Sequence, residues 1–461
     1  MANKRQKNKP QNAANKSNLP KVPKVSSWAN PGTAKFIKKV SIVSIAAQVL
    51  LYLYSQYLGG YKILTYMFFS AGKFDDLRNG VIQNKYFFDP ELLKIKGFAS
   101  VASPPMVLIW RVYQFFVNSE AKLLISIVAT YAVLVLLFWL ITKNVYATIV
   151  LATLHPILFT FARGNPDMWV LILICIAGMG FIRGRNWLVA IAFGLMSALK
   201  FPYLLFGIIF LMKKDFKNLA LQIAVTATAF LLPLNARPWG TLEQIRVFNG
   251  IVAKYYQGYV VADGGLLFNI SLFGFEKPLL YLFKGKGMDS IAKAHDVAIT
   301  ALELQVVSLI ALLLMLLAIP IFYQLKNEVI IRNVTKASAD TELYLVFFLF
   351  LAVVECLYPQ VAAEYRLAQL VVIIALLFKV KSGFLENRWY LVTLGLICLP
   401  KHFMVLGFPL GVANITTISS LITPLLLVLL AFQIQIYLSK NAFYSPFLKL
   451  LRIKPKTHTY I

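Results

Sequence analysis

The sequence predicts an all-α, polytopic integral membrane protein, a bundle of about 10–13 transmembrane helices with two large loops on one face. Three observations carry that reading. Of 461 residues, 59% are hydrophobic and only 14% charged, with a mean hydropathy of +0.70, against about 25% charged in soluble domains. Apolar runs of roughly 18 or more residues, each enough to cross a hydrocarbon core about 30 Å thick, recur between Ser41 and Tyr437. Lys and Arg gather between those runs, as the positive-inside rule requires of cytoplasmic segments.

The basic excess is large, 46 Lys+Arg against 19 Asp+Glu for a net of +27. In a soluble protein this would suggest nucleic acid, but the placement argues against it. Residues 1–40 carry Lys4, Arg5, Lys7, Lys9, Lys16, Lys21, Lys24, Lys35, Lys38 and Lys39 and no acid, among Asn, Pro and Ser. This composition predicts a disordered cytoplasmic tail that favours an anionic leaflet and fixes the N-terminus inside. It lacks the interleaved aromatics on which single strands stack, so no nucleic-acid partner is expected. The polar stretch before Ser41 is also too long for a signal peptide, and the first span should stay in the chain.

The spans follow in order. One near 41–58 leads outward to a mixed segment, about 59–120, expected to form short amphipathic helices on the outer face. Spans near 122–142 and 145–162 are joined by a short basic turn at Lys143, which predicts a tight hairpin. A span near 168–182 returns inward to Arg183 and Arg185. The run from Trp187 to Met212 is overlong, with basic residues at both ends. Two passes resolve it, broken at Lys200-Phe201-Pro202-Tyr203, where Pro202 lacks an N–H and disfavours helix at Phe201. They are either two spans or a re-entrant pair. A span near 217–234 leads to a second outer loop, about 235–297, and spans near 300–324, 342–358, 366–380, 388–400 and 414–438 complete the domain. The whole membrane domain is 41–438, and 439–461 is a basic cytoplasmic tail. Cys175, Cys356 and Cys398 lie in apolar runs, without disulfide or metal spacing.

Ionisable residues inside spans are costly and usually face a cavity, so they form the functional shortlist. Lys200 stands at the break and Glu355 near an outer helix end; Arg163-Gly164-Asn165-Pro166-Asp167 and Glu364-Tyr365-Arg366 form outer clusters. Lys200 either contacts a phosphate or snorkels to a headgroup. Arg366 either meets a lipid-linked phosphate or pairs with Glu364 or Glu355. In the first outer loop, Asp75 and Asp76 stand side by side: one can serve as a general base, the pair can hold a cation, or both can be simply solvated. Ser103-Pro104-Pro105 closes that loop as a stiff lead into a helix. Asn269-Ile270-Ser271 is formally a glycosylation sequon, a signal common by chance.

Taken in order, these motifs resemble the glycosyltransferase family 87 branch of the GT-C superfamily, integral membrane enzymes that use polyprenyl-phosphate-linked sugars. The resemblance rests on F-D-D-L at 74–77, S-P-P at 103–105, G-N-P-D-M-W at 164–169 and A-L-K-F-P-Y-L-L-F at 198–206, followed by L-F-N-I-S-L-F-G at 267–274, Y-P-Q-V-A-A-E-Y-R-L at 358–367 and L-P-K-H-F at 399–403. It implies a GT-C-like bundle and places the family's first-loop catalytic aspartate on Asp76, with Asp75 as the alternative. It puts donor-phosphate binding on Lys200, Arg366 and Tyr365, and substrate binding on Asn269, Ser271, Arg163 and Asp167.

The implied reaction moves a sugar from a polyprenyl-phosphate donor to a glycan or glycolipid acceptor at the outer face, with inversion at C1. No cofactor is required, although the acid pair leaves a divalent cation open. Two rival readings remain at this stage: a polysaccharide polymerase or ligase of the O-antigen type, and a flippase for lipid-linked oligosaccharides. The second should show matched broken segments in two halves, and only one break is visible in the sequence.

Overall fold

The computed structural model describes residues 31–57, 77, 103–116, 119–235, 250, 260, 269–284, 291–326, 336–362, 364–401, 404–405 and 416–445. Over them the chain is helical apart from one antiparallel pair of two-residue strands, β1 (Met404–Val405) and β2 (Thr416–Thr417), in which Met404 faces Thr417. Helix α1 spans Pro31–Tyr57, and α2 spans Pro104–Gln114. The central run is α3 (Glu120–Thr142), α4 (Val145–Thr153), α5 (His155–Ala162), α6 (Asp167–Ile182), α7 (Asn186–Leu199), a 3-10 segment (Phe201–Gly207), α8 (Ile208–Met212) and α9 (Phe216–Asn235). Then come α10 (Leu272–Lys284), α11 (Ile291–Leu325), α12 (Lys336–Leu357), α13 (Leu367–Lys379), α14 (Arg388–Cys398) and α15 (Ile418–Lys440).

Among the described residues, four helical stretches are long and apolar enough to cross a membrane: Ala121–Thr142, Phe216–Pro233, Asp296–Tyr323 and Ile418–Lys440. A fifth forms if the bent pair α4–α5 is one span, and five shorter apolar helices pack among them. The protein is a polytopic membrane protein. Its centre is α13, where every residue from Leu367 to Phe378 is buried, as expected of a helix that is apolar all round and enclosed by neighbours. Helices α6, α12 and α14 pack against it. At the periphery, α11 turns Val306, Val307, Ile310, Leu313, Leu314 and Leu317 outward, the face that lipid covers.

Several expectations meet their physical cause here. The hairpin forms because Lys143 adopts a left-handed conformation (φ 52°) that ends α3, and Asn144 caps α4 by accepting the Ala147 N–H at 2.9 Å. The break at Lys200 is present: the chain is extended there (φ −146°, ψ 115°), and Pro202 sits in the first turn of the 3-10 segment. Phe201 is in that segment, so the non-helical residue is Lys200 rather than Phe201.

Three boundaries differ from the sequence reading. Helix α1 begins at Pro31, inside the stretch expected to be a disordered tail; proline is at home in the first helical turn because its missing N–H would be unpaired there. The run 145–162, expected as one span, bends by 61° between α4 and α5. Leu154 leaves the helix (ψ 141°) ahead of His155 and Pro156, and Pro156 starts the next turn without an N–H to donate backward. The last span begins at Ile418, because Thr416 and Thr417 are taken into β2.

Candidate active site

The break at Lys200 is held from two sides. A helix end leaves its last carbonyls without partners, and the Leu199 carbonyl accepts a hydrogen bond from the Ser103 hydroxyl at 2.7 Å. The S-P-P motif therefore does more than stiffen a loop: it leads into α2 while its serine ties that helix to the end of α7. Beyond the break, the chain runs back alongside α7 until Lys213 Nζ donates to Asn186 Oδ1 at 3.4 Å and Asn186 Nδ2 donates to Asp215 Oδ2 at 3.0 Å. The 14 residues of α7 rise about 21 Å at 1.5 Å each. Lys200 thus lies about 21 Å from the end carrying exposed Arg183 and Arg185, within the ~30 Å thickness of a hydrocarbon core.

Asp167 meets Lys200 there. The turn before it is tight: Gly164 takes φ 60°, where a side chain would be strained, and its N–H donates to Phe161 O at 2.9 Å while the Asn165 N–H donates to Thr160 O at 3.1 Å. Asn165 Oδ1 then accepts the Asp167 N–H at 2.9 Å. This sets Asp167 in the first turn of α6, where the helix dipole favours a carboxylate. The Asp167 carboxylate pairs with the Lys200 ammonium; their side chains are 3% and 20% exposed. Lys200 Nζ also lies 5.2 Å from the centre of the Tyr365 ring, near enough for a cation–π contribution.

Next to Tyr365, Arg366 forms a second pair. One of its terminal nitrogens bonds the Glu355 carboxylate and also donates to the Glu355 carbonyl at 3.4 Å. Gln369 Nε2 donates to the other carboxylate oxygen of Glu355 at 2.7 Å. The Glu355 side chain is fully buried and that of Arg366 only 10% exposed. Four charges from α6, the α7 break, α12 and the short turn before α13 sum to zero, the condition under which such burial is tolerable. Arg366 Nε has no hydrogen-bond acceptor among the described residues, so that donor remains unused. Lys200 has three N–H donors, and Asp167 is its ion-pair partner.

Of the other expected site residues, Arg163 is half-buried at the C-terminal cap of α5. Asn269 and Ser271 are buried, and their polar groups hold the chain together. Asn269 Oδ1 accepts from Ser271 N at 3.1 Å, Ser271 Oγ at 2.8 Å and Ala362 N at 3.0 Å. Asn269 Nδ2 donates to Gln360 O at 2.6 Å. The N-I-S element is thus a staple between the second long loop and the segment leading to Tyr365 and Arg366. Asp75 and Asp76 lie outside the described residues. Leu77, which follows them, is 2% exposed and belongs to the same apolar cluster as Met106 and Trp110.

The structure adds Gln369 and Ser103 to the site, and it gives Glu355 a partner. Glu355 was visible in the sequence as an acid within a span; Gln369, an uncharged side chain in an apolar run, gave no comparable signal. Among the described residues, no group of three or more His, Cys, Asp and Glu side chains is placed to hold a metal ion.

Neither the curated proteins nor the solved structures give a match to this chain. Residues 103–328 match the family model described as Glycosyltransferase family 87. The matched stretch runs from Ser103 through Asp167, Lys200 and the Asn269 staple, and it ends before Glu355. The matched family is one of membrane glycosyltransferases of the GT-C type, and with the membrane-spanning helical fold the match marks the chain as an enzyme that transfers sugars.

Proposed function

We propose that the protein transfers a sugar from a polyprenyl-phosphate donor to a glycan or glycolipid acceptor at the outer face of the membrane, with inversion at C1. The observation that carries this reading is the recessed charge cluster. Lys200 and Arg366 are held in place by Asp167 and Glu355, while Arg366 Nε has no acceptor among the described residues. A phosphate carried on a lipid reaches that depth without leaving the bilayer. A match to a sugar-transferring family favours an enzyme over the flippase reading.

In this mechanism the acceptor hydroxyl attacks C1 from the face opposite the phosphate. The new C1–O bond forms as the old one breaks, and the phosphate departs with the bonding electrons. Its growing negative charge is stabilised by Lys200 and Arg366 more strongly in the transition state than in the bound donor. Asp76, or Asp75 in its place, takes the hydroxyl proton. Arg163, at the C-terminal cap of α5 ahead of Asp167, serves substrate binding in this reading, and the Asn269 staple holds the segment that carries Tyr365 and Arg366. The acids of the two ion pairs position the cations rather than react.

Purified protein in vesicles, supplied with labelled polyprenyl-phosphate sugars and nucleotide sugars in parallel, tests the proposal. Transfer from the lipid-linked donor alone is expected. Transfer from the nucleotide sugar alone would overturn the donor assignment.

A further inference from the structure

We infer that the end of the bundle opposite the Lys200 break carries a second ligand site, a pocket that takes the phosphate headgroup of an anionic glycerophospholipid. A cavity of about 500 Å³ opens there between the end of α6, the turn from α8 to α9 and the first turns of α12, lined by Phe181, Asn186, Lys213, Lys214, Asp215 and Tyr344. Its volume lies within the range of small-ligand sites, roughly 300–1,000 Å³. None of these residues belongs to the charge cluster of the proposed transfer site, so the inference stands apart from the donor assignment.

The lining carries two lysines and two aspartates, and the lysines are the groups that can meet an anion. Lys213 is half-buried, with Nζ 4.9 Å from the Phe181 ring centre and 4.4 Å from that of Tyr344. It donates to the Asn186 side-chain oxygen at 3.4 Å, and the Asp215 and Asp340 carboxylates act on its charge from the same lining. Lys214 is exposed beside it, and neither lysine forms an ion pair with a described residue. Asp215 is already engaged: its carboxylate accepts from Asn218 N at 3.3 Å, Asn218 Nδ2 at 2.7 Å and Asn186 Nδ2 at 3.0 Å. Asp340 contributes one exposed carboxylate to the wall. Exposed Arg183, Arg185 and Lys217 flank the lining in sequence and tip the balance to positive.

The surroundings select a lipid over a soluble anion. Trp187 is 53% exposed and Phe216 65% exposed, directly following the lining residues Asn186 and Asp215, and Leu211 is 48% exposed just ahead of Lys213. Aromatic side chains beside cations at helix ends mark the headgroup level of a bilayer, and basic pockets between membrane helices bind anionic headgroups. A headgroup phosphate seated at Lys213 and Lys214 leaves its acyl chains over this apolar rim.

The test uses the full-length purified protein in a neutral detergent, titrated with dioleoylphosphatidylglycerol, dioleoylphosphatidylcholine or glycerol 3-phosphate while the thermal midpoint is followed. Phosphatidylglycerol is expected to raise the midpoint, with the other two leaving it unchanged. In Lys213→Met/Lys214→Asn the phosphatidylglycerol concentration for half effect should rise about 10- to 30-fold, from roughly 1 kcal/mol per basic residue. Met keeps the apolar stem between the two rings, and Asn tolerates the left-handed backbone at position 214 (φ 55°). Lys143→Gln, which removes a charge outside the pocket, should leave the response intact. An equal response in wild type and double variant, an equal loss in Lys143→Gln, or stabilisation by glycerol 3-phosphate would each overturn the lipid site. If the double variant does not fold, Lys214→Asn alone, at an exposed position, must still weaken the response.

Discussion

Lys200 and Asp167 join the two halves of the site: the cation at the end of α7 pairs with the carboxylate in the first turn of α6, at the opposite end of α7 from the exposed Arg183 and Arg185. The pair explains how a lysine can be left at a helix break inside an apolar run. It also restricts what Lys200 can do. A lysine that merely snorkels keeps its ammonium in water, whereas this side chain is only 20% exposed and is fixed by a nearly buried acid.

Lys200→Met should therefore have two separable effects. It strands Asp167, which costs about 3–5 kcal/mol of stability for a broken buried pair, and it removes a phosphate ligand, lowering kcat/KM for the lipid-linked donor by about 10²-fold or more. Lys200→Met/Asp167→Asn removes the stranded charge. It should regain most of the thermal stability of the wild type while donor use stays low. Recovery of wild-type kcat/KM in the double variant would reduce Lys200 to a structural role.

Glu355→Gln isolates the second pair. The amide preserves the shape and can still meet Gln369, but Arg366 loses its countercharge at a side chain only 10% exposed. A stability loss of about 3 kcal/mol or more is expected, read as a lower unfolding midpoint in detergent with the helical signal retained at low temperature. An unchanged midpoint would show that Arg366 is held by something other than Glu355.

The sequence disclosed those features that local chemistry enforces. The Lys200 break was legible because a run too long for one helix, with basic residues at both ends, must turn back, and Pro202 marks where. The Lys143 hairpin was legible for the same kind of reason. The bend before His155 was not, since 145–162 has the length and apolarity of one straight span and a proline in a first turn is compatible with either reading. Within the site, Lys200, Asp167 and Arg366 stood out as charges in apolar surroundings. That Arg366 pairs with Glu355 was one option among several, because charge alone does not choose between Glu355, Glu364 and a phosphate; the packing of α12 against α13 does. Asn269 and Ser271 matched a family motif, yet their bonds to Gln360 and Ala362 cross a long sequence separation that no local pattern records.

Orientation is the next expected outcome. From the basic loops, both termini should be cytoplasmic, with the long segments 59–120 and 235–297 outside. The native Cys175, Cys356 and Cys398 are all buried, so single cysteines can be read against a quiet background. Asn79→Cys and Asn249→Cys should react with an impermeant maleimide in intact cells, and Lys214→Cys only after permeabilisation. The reverse pattern would invert the topology and move the proposed site to the other face.

Asp76 carries the strongest kinetic expectation. A carboxylate in the first long loop, ahead of the Ser103 tie to the α7 break, meets the need for a base where an aqueous acceptor and a lipid-held C1 come together. General-base assistance is worth about 10²- to 10⁴-fold, so Asp76→Asn, which keeps the shape and removes the basicity, should lower turnover by at least about 10²-fold with donor binding preserved. Asp75→Asn should have the smaller effect. A solvated surface acid would give near-normal turnover in both variants. A cation held by the pair would make the wild type sensitive to chelators and would let added divalent metal partly restore activity to the variants. Steady-state transfer assays on Asp75→Asn and Asp76→Asn, each with and without chelator, separate these three cases. Near-normal turnover in both would end the inverting mechanism proposed for this enzyme.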